Sequence, residues 1–376
     1  MNYSSIIKKV LTPFIFTLLL NITLQADNNP NKEHIIFISV ASQDEVFWGS
    51  IHRLAEVAAK DLDANLEIIY TNRNHIKAVT VAKKIAKRDK KPDYVIVVGE
   101  KLIASRSIPP LTNAGIKVFV YGDLNDEEKK IIGEPREKFP NYIGKIAVDD
   151  YMAGYLTAKL MIKKAIKLEL RDKDGYINFV AFEGVKQTSF SSERVKGLQD
   201  AVQAYPMIRV LQIIPTDWTY EYAEKSLPKL LSRYENYKIA GVWCANSVLA
   251  SASSDVLIAK GLTPNVDFVT AGTDWDKKSV QNVNMGNIVG IAGGHMAIAS
   301  WIVTLIHDYH NGIDFDSSVY VNKITIMDKN LSDKFLKFFN SSDWDNIDYR
   351  RFSKKENENI KNYNFSFTNI LDNISN

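Results

Sequence analysis

The sequence has a single cysteine, Cys244, among 376 residues, so no disulfide can form within the chain. A chain of this length buries enough core to fold without such bonds, and their absence fits any cellular compartment. An excess of one charge is also lacking, because 47 basic residues face 44 acidic ones and the formal net charge is +3. A surface this close to neutral does not favour nucleic acid or an anionic membrane as a partner.

Motifs for nucleotide binding and for nucleophilic catalysis are missing too. The sequence has no GxGxxG or GxxxxGK[ST] loop to hold phosphates, and no GxSxG elbow to carry a catalytic serine. His307 and His310 lie one helical turn apart, but no carboxylate and cysteine set completes a metal site, so we interpret them as a solvated helix face. We therefore expect no enzyme activity, no catalytic residue, no cofactor and no metal.

The first 26 residues have the pattern of a targeting segment. Lys8 and Lys9 precede an apolar run over 10–20, and Leu24-Gln25-Ala26 is compatible with the end of a signal peptide. The alternative is a membrane anchor, but the run is short for roughly 30 Å of hydrocarbon. We predict a cleaved signal peptide over residues 1–26 and an exported mature chain.

From residue 34 onward, short apolar runs alternate with stretches of helical spacing, which predicts parallel sheets covered by helices. The first series of predicted strands is 35–40, 66–70, 94–98 and 117–121. A polar and irregular stretch over 122–141 follows, and the alternation then restarts at 142–148 and continues to a last strand at 319–326. Two successive doubly wound sheets are the simplest account of this α/β pattern.

Polar and aromatic residues follow these predicted strands repeatedly. In parallel sheets, ligands bind beyond the carboxyl ends of the strands, so residues in such positions are candidates for a binding site. The candidates placed in this way are Gln43, Phe47, Trp48, Asp123, Asn246 and Asp274, while Glu100, Glu183 and Trp218 follow strands in the same manner. Fixed hydrogen-bonding groups beside aromatic faces suit a polyhydroxylated ligand. A structural role is the alternative: the Asp and Asn residues could be helix caps, and Trp48 a core residue.

The chain resembles the type I periplasmic binding proteins that serve sugar importers, such as those for ribose and galactose, over roughly residues 35–327. The motifs that carry the resemblance are, in order, FISVASQDEVFWGSI, GKIAVDDYMAGYLTAKLM, SSERVKGLQDAV, IAGVWCANSVLASASSDVLIAKG and FVTAGTDWDKKSVQNVNMG. By this resemblance, the ligand-binding residues of the family correspond to Phe47, Trp48, Arg194, Asn246 and Asp274. The chain departs from the family at Ser247, commonly Asp, and at Gly293-Gly294, where a glutamine is frequent, so the identity of the sugar stays open.

Within this family the chain is most similar in appearance to the periplasmic receptor for the borate diester autoinducer-2. That receptor binds its ligand through a Gln, a Trp and two arginines, and Gln43, Trp48 and Arg194 match three of these. The second arginine falls near Ala292 and is missing. We therefore do not expect the anionic borate ester itself to be the ligand.

The resemblance implies a periplasmic monomer of two lobes joined by three crossings, near residues 146–148, 292–294 and 318–321. The N-terminal lobe is then 34–146 plus 294–318, and the C-terminal lobe is 148–292 plus 320–330. Residues 331–376 are rich in Asn, Asp, Ser and Lys and predict an amphipathic helix near 331–339 followed by a weakly ordered tail.

The implied function is capture of a sugar-like ligand for an ABC importer, and the alternative is a sensor that reports the ligand to a membrane histidine kinase. A DNA-binding repressor of the same fold is not expected, because no helix-turn-helix precedes the first lobe. Arg194 is expected at a helix start facing the cleft, where a cation opposes the helix dipole and a ligand oxygen would be the reason to keep it.

Overall fold

The computed structural model describes residues 32–186, 188–321, 323–340 and 343–374. The predicted signal peptide over residues 1–26 lies outside the described residues. None of the helices within the described ranges is both long and apolar enough to span a bilayer.

The described residues form strands and helices in regular alternation. The strands are β1 (His34–Ser39), β2 (Asn65–Tyr70), β3 (Tyr94–Val98), β4 (Lys117–Tyr121), β5 (Tyr142–Val148), β6 (Ile177–Glu183), β7 (Ile208–Pro215), β8 (Ile239–Cys244), β9 (Val269–Thr273), β10 (Gly290–Gly293), β11 (Ser318–Val321) and β12 (Thr325–Ile326). The α-helices are α1 (Val46–Asp61), α2 (His75–Ile85), α3 (Ile103–Asn113), α4 (Asp126–Ile132), α5 (Asp150–Lys167), α6 (Ser189–Gln203), α7 (Tyr220–Arg233), α8 (Ser247–Ala259), α9 (Lys277–Met285), α10 (Ile298–His310), α11 (Lys329–Asn340) and α12 (Phe367–Ile374). Short 3₁₀ helices lie at His295–Ala297, Asp343–Asn346 and Tyr349–Phe352.

These strands build two six-stranded sheets. The first has the order β11-β5-β4-β3-β1-β2 and the second the order β12-β10-β9-β8-β6-β7. All pairs are parallel except β12, which runs antiparallel to β10. The chain passes between the sheets three times, after β5, after β10 and after β11. This confirms the predicted fold class, two doubly wound α/β sheets joined by three crossings.

Two local predictions are wrong. The last strand, predicted as one piece over 319–326, is two strands, because β11 pairs with β5 in the first sheet and β12 pairs with β10 in the second. An apolar run that crosses between sheets has the same pattern as one that stays in a single sheet. The stretch 122–141, predicted as irregular, contains α4, which Asn125 caps by accepting a hydrogen bond from the backbone of Glu128.

Two glycines let helices α5 and α6 approach closely enough to position the candidate site. A Cβ on Gly154 would lie 2.0 Å from the carbonyl oxygen of Arg194, and one on Gly197 would lie 2.2 Å from that of Tyr151. Neither distance can be accommodated without moving backbone, so this crossing requires glycine at both positions. The contact holds the backbone of Arg194 against α5, which begins with Asp150.

The C-terminal segment is packed rather than weakly ordered over its described residues 343–374. Phe365 stacks on Trp301 of α10 with ring centres 4.8 Å apart, and Phe367 packs edge-on against Trp275, which follows β9, at 5.6 Å. Both phenylalanines are buried. The composition of the segment is polar, but its few aromatic side chains fall where the two tryptophans leave apolar surface to cover.

Candidate functional site

A cavity of about 440 Å³ lies between the two sheets, at the carboxyl ends of their strands. This volume is in the range of small-molecule sites. The residues after β1 to β5 form one wall: Asp44, Glu45, Val46, Phe47, Trp48, Arg73, Glu100, Tyr121, Val148 and Asp150. The residues after β6 to β10 form the rest: Phe190, Arg194, Trp218, Thr219, Tyr220, Glu221, Asn246, Ser247, Val248, Asp274, His295 and Ile298.

Five of the seven residues that the sequence predicted for the site line this cavity. Phe47 and Trp48 come from the first turn of α1, and Arg194, Asn246 and Asp274 come from the side of the second sheet.

The other two predicted residues, Gln43 and Asp123, lie outside the cavity. Gln43 is exposed in the turn before α1, where the neighbouring Asp44 and Glu45 face the cavity instead. The side chain of Asp123 accepts hydrogen bonds from Lys145 Nζ at 2.7 Å and from Lys129 Nζ at 2.9 Å. Burial raises the pKa of Asp123, but these two cations outweigh it and hold the pKa below its ordinary value. Asp123 therefore does not line this cavity and has internal partners, and its role in ligand binding stays a prediction.

The floor of the cavity is a buried network of charged groups. Arg194 donates from Nε to Asp150 Oδ1 at 2.7 Å and from Nη1 and Nη2 to the two oxygens of Asp274 at 2.9 and 3.2 Å. His295 Nε2 lies 3.2 Å from Asp150 Oδ1 in a hydrogen bond, while its Nδ1 lies 3.1 Å from Asp274 Oδ1 without forming one. The Arg194 side chain is only 5% exposed. The network therefore presents fixed charges in a setting of low dielectric.

Arg194 stands in the second turn of α6, not at its start. The helix begins at Ser189 and is capped by Thr188, whose hydroxyl accepts from the backbone of Ser191. The expected conflict with the helix dipole is therefore absent, because the dipole acts mainly in the first turn. Arg194 forms ion pairs with Asp150 and Asp274, so contacts within the protein are enough to explain a cation at this position.

The pKa values reflect this mutual stabilisation. Burial raises the pKa of Asp150, but the charge of Arg194 and the hydrogen bond from His295 exceed that effect, and the pKa of Asp150 lies below its ordinary value. Burial lowers the pKa of Arg194, but the two aspartates raise it further. Both groups are therefore ionised at neutral pH.

Asn246 and Asp274 differ in their structural roles. Asn246 caps α8 by accepting from the backbone of Leu249 at 2.8 Å, and its amide also donates to the carbonyl of Trp218 at 3.1 Å. Asp274 caps no helix, since Asp276 caps α9. The backbone of Asp274 is left-handed, with φ of 73°. This conformation is uncommon for a non-glycine residue and turns its carboxylate toward Arg194.

Aromatic rings form the walls above the network. Trp48 is 7% exposed and lies 5.4 Å from Tyr121 and 6.3 Å from Phe47, measured between ring centres. On the opposite side, the guanidinium of Arg194 lies 5.8 Å from the ring centre of Trp218. Flat apolar faces thus flank the hydrogen-bonding floor. Such an arrangement can hold a ligand with both C–H faces and polar groups.

Asp150 and His295 are site residues that were not predicted. Each follows a strand after one intervening residue, Asp150 after β5 and His295 after β10, so the rule that selected Asn246 and Asp274 applies to them equally. They were missed because that rule was applied to only some of the strands. Glu100 and Trp218, which were noted as following strands, also line the cavity.

The prediction of a solvated helix face on α10 holds for His310, which is exposed, and is wrong for His307. His307 is buried and its two ring nitrogens lie 2.7 Å from Glu33 and 3.2 Å from Glu356, so it is not on a solvated face. Across the described ranges, no cluster of three or more His, Cys, Asp or Glu side chains has the geometry to hold a metal ion. Burial raises the pKa of the Cys244 thiol to about 12, so it is not a reactive thiolate at neutral pH.

Comparison with known proteins gives a consistent family. The model of the periplasmic binding protein domain matches residues 35–312, which is more than half of the chain. No curated protein sequence matches the chain.

Solved structures share the fold. A periplasmic sugar-binding protein from Pseudomonas fluorescens has a TM-score of 0.79 at 23% identity, covering 90% of this chain and 98% of that one. An ABC transporter periplasmic solute-binding protein from Actinobacillus succinogenes with bound D-allose has a TM-score of 0.68 at 19% identity, covering 80% and 99%. A Mycobacterium smegmatis protein in complex with β-D-fucofuranose has a TM-score of 0.70 at 15% identity, covering 82% and 95%. With the domain match, the strand order and the cavity at the carboxyl ends of both sheets, the chain belongs to the periplasmic binding protein family.

Proposed function

We propose that this protein captures a small sugar-like ligand between two lobes in the periplasm and presents it to an ABC importer, without catalysing a reaction. The first lobe is near residues 34–146 plus 294–318 and the second near 148–292 plus 320–330. Residues 318–321 are proposed as part of the first lobe, since β11 pairs with β5. Closure of such lobes about a hinge is a common way to enclose a ligand.

One observation carries the proposal: a buried hydrogen-bonding floor built around Arg194 lies between aromatic walls in a cavity of small-molecule size. Sugar hydroxyls need donors and acceptors with defined geometry, and the network around Arg194 offers both. Sugar C–H faces pack on aromatic rings, for which Trp48 and Trp218 are available. The related structures with D-allose and β-D-fucofuranose bound make both hexoses and furanose sugars candidates here.

Autoinducer-2 is not favoured as the ligand. Gln43, which matched the glutamine of its receptor, is exposed outside the cavity. Ala292, at the position of the second arginine, is a buried strand residue. Of the four receptor residues, only Trp48 and Arg194 have counterparts at this cavity.

The test is a ligand screen by thermal shift, followed by titration calorimetry of each hit. The panel holds pentoses, hexoses, deoxysugars, polyols and autoinducer-type furanoses. Ligand at a hundredfold excess over Kd stabilises the folded state by about 2.7 kcal/mol. A sugar-type hit with a change in tryptophan emission supports the proposal. If only amino acids, nucleotides or metal ions raise the melting temperature, the proposal is wrong.

A pair of variants locates the hit. Trp48→Phe should remove most of the emission change, because this indole lines the cavity. Trp344→Phe is the matched control, since that indole packs against Phe338 and Phe339 of α11 and not on the cavity. Equal responses from both variants would place the ligand elsewhere.

The partner is tested separately. Permease and ATPase genes beside this one, and stimulation of the reconstituted importer's ATPase by loaded protein, are expected. A neighbouring membrane kinase whose activity follows the ligand-loaded protein would support the sensor alternative instead.

A further inference from the structure

The cavity contains more acidic side chains than basic ones. Six carboxylates line it, those of Asp44, Glu45, Glu100, Asp150, Glu221 and Asp274, against the two guanidinium groups of Arg73 and Arg194. A proton on His295 would add one positive charge and leave the acidic groups in excess. A neutral sugar offers this excess no counter-charge, and an anionic ligand would be repelled by it.

Both arginines are already engaged. Arg194 is shared by Asp150 and Asp274, and Arg73 is paired with Glu45 through both its Nε and Nη2 atoms. These ion pairs neutralise the positive charge that the two arginines bring to the cavity. Glu100 differs from these paired groups. It is buried, but its carboxylate has neither an ion pair nor a side-chain hydrogen bond within the described part of the chain.

Glu100 is held at the cavity wall by its backbone. It follows β3 after one glycine, and its carbonyl accepts from the backbone of Ile103 at 2.9 Å where α3 begins. The residue is only 7% exposed, and it lines the cavity. Burial raises the pKa of Glu100, and the nearby charges of Arg73 and Lys101 oppose this only in part. A buried carboxylate without a partner is unfavourable unless a ligand supplies one.

We propose that Glu100 selects the ligand and that the ligand is an amino sugar or amino polyol, whose ammonium group pairs with Glu100. This rests on the proposed function, because the remainder of the ligand occupies the aromatic and charged site described above. An ammonium group offers the donor that the carboxylate lacks and offsets part of the acidic excess. Glu100 stands on the wall of the first sheet and the Arg194 network on that of the second, so such a ligand would engage both lobes.

The experiment compares three forms of each hexose: glucosamine, galactosamine and mannosamine, the parent sugars, and the N-acetylated derivatives. Affinities are measured by titration calorimetry at pH 7. A hydrogen bond to a charged partner predicts that one amine binds roughly tenfold or more tightly than its parent sugar and its N-acetylated form. The amine should lose this advantage as the pH is lowered, because protonation of Glu100 removes its charge while the parent sugar is unaffected.

Glu100→Gln keeps the size of the side chain and removes its charge. The variant should bind amine and parent sugar equally, and without ligand it should melt no lower than the original protein, because an unpaired buried charge has been removed. Glu183→Gln is the matched control, since Glu183 is the last residue of a strand, β6, and does not line the cavity. It should keep the preference for the amine.

The outcomes separate this inference from the proposed function. Tight binding of neutral sugars with no preference for the amine overturns the role of Glu100 and leaves the proposed function standing. A preference that survives in Glu100→Gln, or a clear loss of stability in that variant without ligand, also overturns it. If none of the three forms binds, the inference is overturned, and the proposed function fails with it only if the wider panel of pentoses, deoxysugars, polyols and furanoses also gives no hit.

Discussion

Replacing Arg194 by alanine tests whether the charged floor of the cavity is part of the fold as well as of the site. The substitution removes the hydrogen bonds to Asp150, to both oxygens of Asp274 and to the carbonyl of Ala245. The two aspartates then stay buried with His295 as their remaining neighbour. Removal of one partner from a buried ion pair costs about 3–5 kcal/mol. We expect a loss of this size in the free energy of unfolding, together with loss of ligand binding.

The assay is urea unfolding followed by circular dichroism, with the midpoint and the slope fitted for each variant. Arg53→Ala is the control, since Arg53 donates from Nη2 to both oxygens of Asp345 on the surface, where ion pairs contribute about 0–1 kcal/mol. If Arg194→Ala unfolds at the same midpoint as this control, the aspartates do not depend on the arginine. The network would then exist for the ligand alone.

The pH dependence provides an independent check on the same variant. In the original protein the pKa of Asp150 is lowered, so its contribution to stability is present above its unfolded value of about 4 and is lost as the pH falls through the folded value. Without Arg194, burial remains and raises the pKa of Asp150 instead. The deficit of the variant should therefore be largest at pH 7 to 8 and shrink toward pH 5. A deficit that is constant over this range would contradict the electrostatic explanation.

Three further predictions concern the packing around the site. Gly154→Ala should lower the free energy of unfolding by about 1–3 kcal/mol or more, because its Cβ would lie 2.0 Å from the carbonyl oxygen of Arg194. Gly49→Ala in α1 is the control and should be neutral or slightly stabilising in the same urea assay, because its Cβ would lie 3.9 Å from the nearest neighbour, the carbonyl oxygen of Gln43. Phe367→Ala should cost about 3–5 kcal/mol, because the ring is 1% exposed and packs on Trp275; a cost below 1 kcal/mol would mean that the C-terminal segment adds little to the fold. Burial lowers the pKa of His52 to about 4, so the unfolded chain takes up the proton at a higher pH than the folded protein. The original protein should therefore lose stability as the pH falls from about 6.5 to 4. His52→Gln should reduce that loss in melting curves recorded across this range.

The strands and several site residues could be predicted from the sequence because their signals are local. The runs at β3 and β4 are short, apolar and wholly or almost wholly buried, and their predicted bounds, 94–98 and 117–121, equal the observed ones. A strand buried on both faces by helices needs such a run, so the pattern and the fold share one cause. The position after a strand likewise brought Trp48, Asn246 and Asp274 to the cavity, because the carboxyl ends of parallel strands meet at one edge.

Only the tertiary structure decided which polar residues face the cavity and which find partners inside the protein. Asp123 and Asp150 both follow strands, but Asp123 accepts a hydrogen bond from Lys145, whereas Asp150 accepts one from Arg194 at the cavity. Partners that lie 22 and 44 positions away come together only when sheets and helices pack, and a sequence pattern does not contain that distance. The same reason explains why β11 and β12 lie in different sheets and why the C-terminal segment packs on Trp275. Local residue spacing determines which helices and strands form, whereas long-range packing determines which of them become neighbours.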